Sequence, residues 1–322
     1  VFVMHVDDFL FAGTEAFSKS VIEVLVSKYK VGKRQITSFR YVGLDVTQDE
    51  GQILVNQDNY AGEIAEIPVT ANRKSDKSSP LNKQEMETLR ATAGQLNWIA
   101  TQTRPDLSYE ALELNMTKNN ATVEQLVRAN KAIRHAKSTK GDISFPKLGE
   151  FSSWKMDVFC DASWGNLPDG VSSAQGHVIF LTGENHKSCP LAWTSNKIKR
   201  KVSSTLAAET LAMEAALDEA VYLGTLLTEI YCNSKVKNNI PITVYTDNKS
   251  LHENIHSTKQ VHEKRLRINI AEIQRMLASG EVRMVEWIPS KLQLADCLTK
   301  RGVDSEWLLE CFNTGELITG QI

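Results

Sequence analysis

Met156-Asp157-Val158-Phe159-Cys160-Asp161-Ala162-Ser163-Trp164 is the stretch on which the fold turns. Residues 156–160 read as a strand, and Asp161 stands at its end, where an apolar run does not ask for charge. Gly176–Leu181 and Leu191–Ser195 read as two more strands. A long helix starts near Ser203-Ser204-Thr205, good N-capping types. Its stripe is Leu206, Thr210, Met213, Leu217, Ala220, Gly224, Leu227 and Tyr231, spaced alternately by fours and threes. Ile242–Tyr245 is a short strand. Leu266, Ile270, Ile273 and Leu277 mark a helix, Val282–Ile288 a strand, and a helix follows Pro289-Ser290. Three strands, helix, strand, helix, strand, helix make one α/β domain of about 150 residues.

Four acids in this domain interrupt the apolar pattern. Asp161 ends the first strand, and Asp247 ends Val244-Tyr245-Thr246. Glu209 lies between Leu206 and Met213, on the apolar stripe of its helix, and Asp296 lies one turn beyond Leu292 on the last helix. Taken singly, an Asp at a strand end is a turn former and a Glu near a helix start meets the dipole. Gathered together, four carboxylates repel one another, and a divalent cation resolves that repulsion. Oxygen-only ligands suit Mg²⁺, with Mn²⁺ as the alternative. A pair of such ions about 4 Å apart would serve phosphodiester hydrolysis.

Outward from this domain, the first half is also organised. Val1–Gly13 reads as strand, tight turn, strand around Asp7-Asp8, and 15–30 has helical spacing. Ile36–Val46 and Gln52–Asn56 read as strands joined by a turn at Asp49-Glu50-Gly51. The polar run 72–80 is a first linker candidate. One helix holds Leu89, Leu96 and Ile99 and stops at Arg104-Pro105; another runs from about Thr122 to Lys140, and the segment to Ser153 is a second linker candidate. The chain has 322 residues, 37 Lys+Arg against 39 Asp+Glu, and a net charge of -2. That balance excludes a wholly basic nucleic-acid coat protein while leaving room for a local basic track. No run of 18 apolar residues exists, so no membrane span is expected. The five cysteines are scattered without a CxxC, which fits a reducing compartment. Val1 opens straight into strand-like sequence with no initiator Met or charged leader, so a piece of a longer chain is expected.

Cys160-Asp161-Ala162-Ser163-Trp164, Ser203-Ser204-Thr205-Leu206-Ala207-Ala208-Glu209, Tyr245-Thr246-Asp247-Asn248 and Gln293-Leu294-Ala295-Asp296-Cys297-Leu298-Thr299-Lys300 resemble the RNase H domain of copia-like retrotransposon Pol polyproteins. The resemblance implies an RNase H-like domain with a mixed five-stranded sheet flanked by helices. It makes Asp161, Glu209, Asp247 and Asp296 the catalytic, metal-binding acids for two Mg²⁺ ions, and the RNA strand of an RNA–DNA hybrid the substrate. Cellular RNases H often carry a His before the last helix; Ile288–Leu294 has none, so water alone would handle that proton. Upstream, Val6-Asp7-Asp8 resembles the reverse transcriptase palm hairpin, whose adjacent aspartates bind metal. Tyr41-Val42-Gly43-Leu44-Asp45, Gln52-Ile53-Leu54-Val55-Asn56-Gln57, Gly94-Gln95-Leu96-Asn97-Trp98 and Thr103-Arg104-Pro105-Asp106-Leu107 follow in the family's order. His5 departs from the family's Tyr. The family's third polymerase aspartate and fingers lie upstream of this hairpin, so no DNA synthesis by this chain alone is expected.

The expected domains are a partial reverse transcriptase palm at 1–75, a helical thumb or connection at 76–150 and the RNase H-like domain at 151–310. Lys197, Lys199, Arg200 and Lys201 precede the helix of Glu209, where side chains and free N–H groups attract phosphate. Lys264, Arg265 and Arg267 form a second basic cluster, and Ser203, Ser204 and Asn248 are polar candidates for hybrid contact. Other Pol segments, the upstream reverse transcriptase and integrase, are implied partners, and no membrane is. The implied place is the cytoplasm, in a virus-like particle, with the nucleus as the alternative. A competing motif is His252-Glu253-Asn254-Ile255-His256, the HExxH of zinc metallopeptidases, with Glu253 as base. An inactive nucleic-acid-binding remnant is the non-enzymatic reading.

Overall fold

The computed structural model describes residues 1–117, 120–232, 238–258 and 263–317. The chain opens with a hairpin of β1 (Phe2–His5) and β2 (Asp8–Phe11). A broken helical segment follows, α1 (Glu15–Phe17), a π-type turn and α2 (Glu23–Lys28). Next come β3 (Ser38–Tyr41), β4 (Leu44–Gln48) and β5 (Gln52–Asn56), all antiparallel. The single strand expected over Ile36–Val46 is thus two. They turn back at Val42-Gly43, both with positive φ (49° and 78°), a backbone that glycine accepts freely.

Short helices α3 (Asp58–Glu63) and α4 (Ala71–Ser75) lead to the long α5 (Lys83–Gln102). Asn82 and Glu85 close a capping box at its start. The polar run 72–80 is therefore not a free linker. Within it Arg73 is clamped on Glu85 (2.8 and 2.9 Å) and on the Pro80 carbonyl (2.7 Å). A 3₁₀ turn at Pro105–Leu107 runs into α6 (Ser108–Met116), a helix the sequence reading did not place. With α7 (Val123–Ser138) these helices bury Leu89, Leu96, Ile99, Leu114, Leu126 and Ile133 among themselves.

The second linker candidate also carries structure. Its β6 (Ile143–Pro146) pairs antiparallel with β5 and completes a four-stranded sheet. Ile143 packs with Phe159, Phe180 and Phe312, so the two halves share apolar contacts at this strand.

The second half is built on one mixed sheet. β7 (Lys155–Ser163), β8 (Ala174–Thr182) and β9 (Ser188–Lys197) form an antiparallel meander. β10 (Ile242–Thr246) runs parallel to β7, and β11 (Met284–Trp287) parallel to β10. The order β11-β10-β7-β8-β9 is the five-stranded RNase H-like arrangement expected. The helices are α8 (Thr205–Cys232), α9 (Lys249–His256), α10 (Arg267–Ala278) and α11 (Glu306–Thr314). Alternation along β7 sorts its side chains between two cores. Met156, Val158 and Cys160 join Met213, Leu217 and Ile273 on one face. Phe159 joins Tyr245, Leu298 and Phe312 on the other. Each such buried side chain contributes about 1.5–3 kcal/mol.

Two expectations shift here. β7 runs two residues past Asp161, so that acid lies within the strand. The helix expected after Pro289-Ser290 is instead two 3₁₀ turns, Ser290–Leu292 and Asp296–Leu298, with α11 following later.

Candidate active site

Asp161 and Asp247 meet because β7 and β10 are parallel and in register. Phe159 and Tyr245 are direct partners, and each acid lies two residues beyond. Gln293 is buried in the loop beyond β11 and donates from Nε2 to the Cys160 carbonyl (3.0 Å) and the Tyr245 carbonyl (3.5 Å). It thereby staples that loop across both strands just before the acids. Asp296 follows on the second 3₁₀ turn. Gly176, opposite Asp161 on β8, lets that turn approach. A Cβ there would lie 2.7 Å from Leu298 Cβ and 3.0 Å from Thr299 Cγ2.

One carboxylate oxygen from each of Asp161, Asp247 and Asp296 falls within 4.8 Å of the others. Glu209 stands outside that trio, in the first turns of α8, yet within the same field. Its carboxyl is buried, and its Oε2 has no hydrogen-bond partner. Burial pushes the Glu209 carboxyl well above the usual range, and Asp161 and Asp247 push it further. Asp161 is raised to about 7, first by burial and then by Asp296, against the pull of Lys300. Burial also raises Asp296, again opposed by Lys300.

Lys300, last residue of the Gln293–Lys300 stretch, supplies the positive charge of the centre. Its Nζ lies 2.7 Å from Asp296 Oδ1 and 3.3 Å from Asp161 Oδ2. Burial disfavours its charge, but the carboxylates of Asp161 and Asp296 outweigh this and hold it protonated. Thr299 Oγ1 donates to Asp161, and Ser290 Oγ donates to Asp247 Oδ2 (2.5 Å). One ammonium cannot balance four acids. An all-oxygen donor set with an orphaned buried carboxylate oxygen fits a hard divalent cation.

The other candidate residues lie around this centre. Lys197 pairs with Asp169 (3.1 Å), and Arg200 Nη2 donates to Asn269 Oδ1 (3.3 Å). With Lys199 they line an open groove of 870 Å³ together with Gln175, Leu211 and Glu214. Lys201, Lys264 and Arg265 are exposed. Ser203 and Ser204 donate to Glu263 (2.7 and 3.1 Å), and Ser204 Oγ also accepts from Ala207 N (3.1 Å). Asn248 Oδ1 caps α9 by accepting from Leu251 N (2.9 Å). Asp7 and Asp8 are exposed at the turn of the first hairpin, far along the chain from the acidic trio.

Helix α9 does put His252 and His256 on one face, with ring centroids 4.3 Å apart. However, His256 Nδ1 hydrogen-bonds the His252 carbonyl (2.9 Å) and Glu253 lies 3.9 Å from Lys249. Among the described residues, the group of three or more candidate ligands is the aspartate trio, and α9 contributes nothing to it.

No protein-family profile matches the chain. It is 23% identical over 320 residues to the retrovirus-related Pol polyprotein of transposon RE2 from Arabidopsis thaliana, covering 92% of this chain and 20% of the polyprotein. It is 24% identical over 233 residues to a Ty5-1 transposon protein of Saccharomyces cerevisiae, covering 67% of this chain and 72% of that protein. Among solved structures, the N-terminal RNase H domain of a Mycobacterium tuberculosis protein aligns at 23% identity and a TM-score of 0.34, over 49% of this chain and 97% of that one. The chain spans about a fifth of the plant polyprotein. The chain is thus similar in sequence to retrotransposon Pol polyproteins, in agreement with the motifs quoted from it.

Proposed function

We propose that this chain hydrolyses the RNA strand of RNA–DNA hybrids endonucleolytically, using two Mg²⁺ ions. The observation that carries the reading is the convergence of Asp161, Asp247 and Asp296 oxygens within 4.8 Å, beside a buried and unpartnered Glu209 Oε2. Asp161 and Asp247 would hold both ions, Glu209 one of them, and Asp296 would complete the second ion's own ligand set. Bound there, the ions would supply an activated water and stabilise the leaving oxygen. The chain's own residues set up that arrangement. Thr299 fixes the Asp161 carboxylate and Ser290 that of Asp247. Glu209, lacking any protein donor on Oε2, is free to orient water.

Lys197, Lys199, Arg200 and Lys201, with Ser203, Ser204, Asn248, Lys264 and Arg265, would track the hybrid's backbone without reading its sequence. Asp7 and Asp8 would contribute to a polymerase metal site together with the upstream reverse transcriptase, and integrase would be a further Pol partner. A virus-like particle in the cytoplasm is the setting this implies. The test is a hybrid-cleavage assay with Mg²⁺ beside the Asp247→Asn variant. Mg²⁺-dependent cutting of the RNA strand that this variant loses is expected. Cleavage that survives in the variant would place the chemistry elsewhere.

A further inference from the structure

Helix α6 belongs to the helical region of the first half, yet its polar side chains reach the loop that carries Lys300 through Arg301 and Asn166. Glu113 is 3% exposed and takes Arg301 through three hydrogen bonds of 2.6–3.0 Å. The same carboxylate accepts from Arg128 (2.7 Å), which is also held by Glu110 (2.8 and 2.9 Å). One turn earlier, the buried Tyr109 hydroxyl accepts from Asn166 Nδ2 (2.9 Å). That amide also donates to the Thr299 carbonyl (2.8 Å), while Asn166 Oδ1 accepts from Ala174 N (3.2 Å). Around this chain of bonds Tyr109, Leu167 and Ala174 close a small apolar cluster with Leu112 and Met116.

The bonds grip Thr299 and Arg301, the residues on either side of Lys300. Between those two grips, Thr299 Oγ1 meets Asp161, and Lys300 Nζ meets Asp296 and Asp161. A loop held only by its own 3₁₀ turn would have several places to rest, because such turns are short and weakly bonded. A buried glutamate gripping an arginine with two parallel N–H bonds fixes both distance and direction.

We infer that Glu113 and Tyr109 of α6 are positioning residues of the nuclease site, acting through Arg301 and Asn166 to hold Thr299 and Lys300 against Asp161 and Asp296. The inference rests on the acidic centre being the hydrolytic site. Neither α6 residue touches the acids; their effect passes through the loop. The helical region is in this sense part of the nuclease.

The test uses the full chain with Arg301→Ala and Tyr109→Phe. Arg301 is half-exposed, and its loss leaves Glu113 paired with Arg128, so this variant keeps its fold. Tyr109→Phe removes one hydroxyl and nothing else. Two readouts are taken: Mn²⁺ affinity by calorimetry without nucleic acid, and kcat and KM on a hybrid. Expected are Mn²⁺ binding weakened by about tenfold in Arg301→Ala and less in Tyr109→Phe, the range for groups that orient metal ligands. A lower kcat at unchanged KM should accompany it, and the double variant should fall short of the summed effects because both act on one loop. Wild-type binding and cleavage with variants indistinguishable from it overturn the positioning role alone. A raised KM at unchanged Mn²⁺ affinity also overturns it, making Arg301 a hybrid contact. A wild-type chain that binds no Mn²⁺ overturns the positioning role and the nuclease reading together.

Discussion

Replacing Asp161 by Asn should make the metal-free protein more stable at neutral pH while abolishing cleavage. Asp161 is 1% exposed, and burial with the neighbouring Asp296 lifts its carboxyl from 3.8 to about 7. A folded-state value above the unfolded one means the folded chain binds the extra proton. The stability that proton brings is whole below about pH 4 and is lost as pH rises through about 7. A rise of roughly three pH units corresponds to about 4 kcal/mol at the upper bound. Relaxation and water entry reduce this, so about 2 kcal/mol is the working figure. Asn keeps an oxygen that can accept from Thr299 Oγ1, so the substitution removes charge at little cost in packing. It also forfeits the attraction to Lys300, which is already counted in the raised value.

The assay is urea denaturation in a chelator at pH 4, 5.5, 7 and 8. The wild type should lose stability across that range, and Asp161→Asn should lose less, crossing above the wild type near pH 6. Adding Mg²⁺ should restore the wild type and leave the variant almost unmoved, since a ligand stabilises only the state that binds it. An Asp161→Asn variant less stable than the wild type at pH 8 in chelator would refute the reasoning. It would show that Lys300 and Thr299 already outweigh burial and repulsion.

Three further outcomes are expected. Lys300→Met should cost the chelated protein about 1 kcal/mol at pH 7.5, a figure discounted for partial exposure, and less at pH 4, where Asp161 is protonated; denaturation at the two pH values checks this. Gly176→Val should push the Asp296–Leu298 turn off the sheet, because its Cβ alone would lie 2.7 Å from Leu298 Cβ; a loss of about 1–3 kcal/mol and of Mn²⁺ binding is expected, read by denaturation and calorimetry. Asp106→Asn should cost about 3–5 kcal/mol, since Asp106 is held by Arg104 (2.7 and 2.9 Å) and His135 (2.7 Å) and Arg104 would be left buried without its counter-charge; a fall in urea midpoint checks it.

The strands and the long helix of the second half are legible in the sequence because their burial is regular. β7 alternates between two cores, and α8 lays an apolar stripe on the sheet. Short-range polarity misleads where long-range partners exist. Residues 72–80 have a linker's composition, yet Arg73 is fixed by Glu85, twelve positions on. Residues 143–146 sit in a stretch read as a linker, yet β5 pairs with them across some ninety positions. Helix α6 escaped notice because the Arg104-Pro105 pair signals a stop, whereas here proline opens the next turn.

The acids divide along the same line. Local pattern marks Asp161, Glu209, Asp247 and Asp296 as charges in the wrong place, but which of them touch depends on strand register, a long-range quantity. Register joins Asp161 to Asp247, and the Gly176 gap admits Asp296. Glu209, carried on a helix rather than on the sheet, stands outside the trio that shares 4.8 Å. Lys300 stands four positions beyond Asp296, yet spacing alone does not say that its charge belongs to the acidic centre. In an α-helix that spacing would have paired the two at once. Here the 3₁₀ turn covers only Asp296–Leu298, and the pairing depends on the next step of the chain, where the Lys300 backbone N–H donates to the Asp296 carbonyl (3.0 Å). The charge balance of the site is thus set by the loop's path, and that path in turn by what holds Thr299 and Arg301.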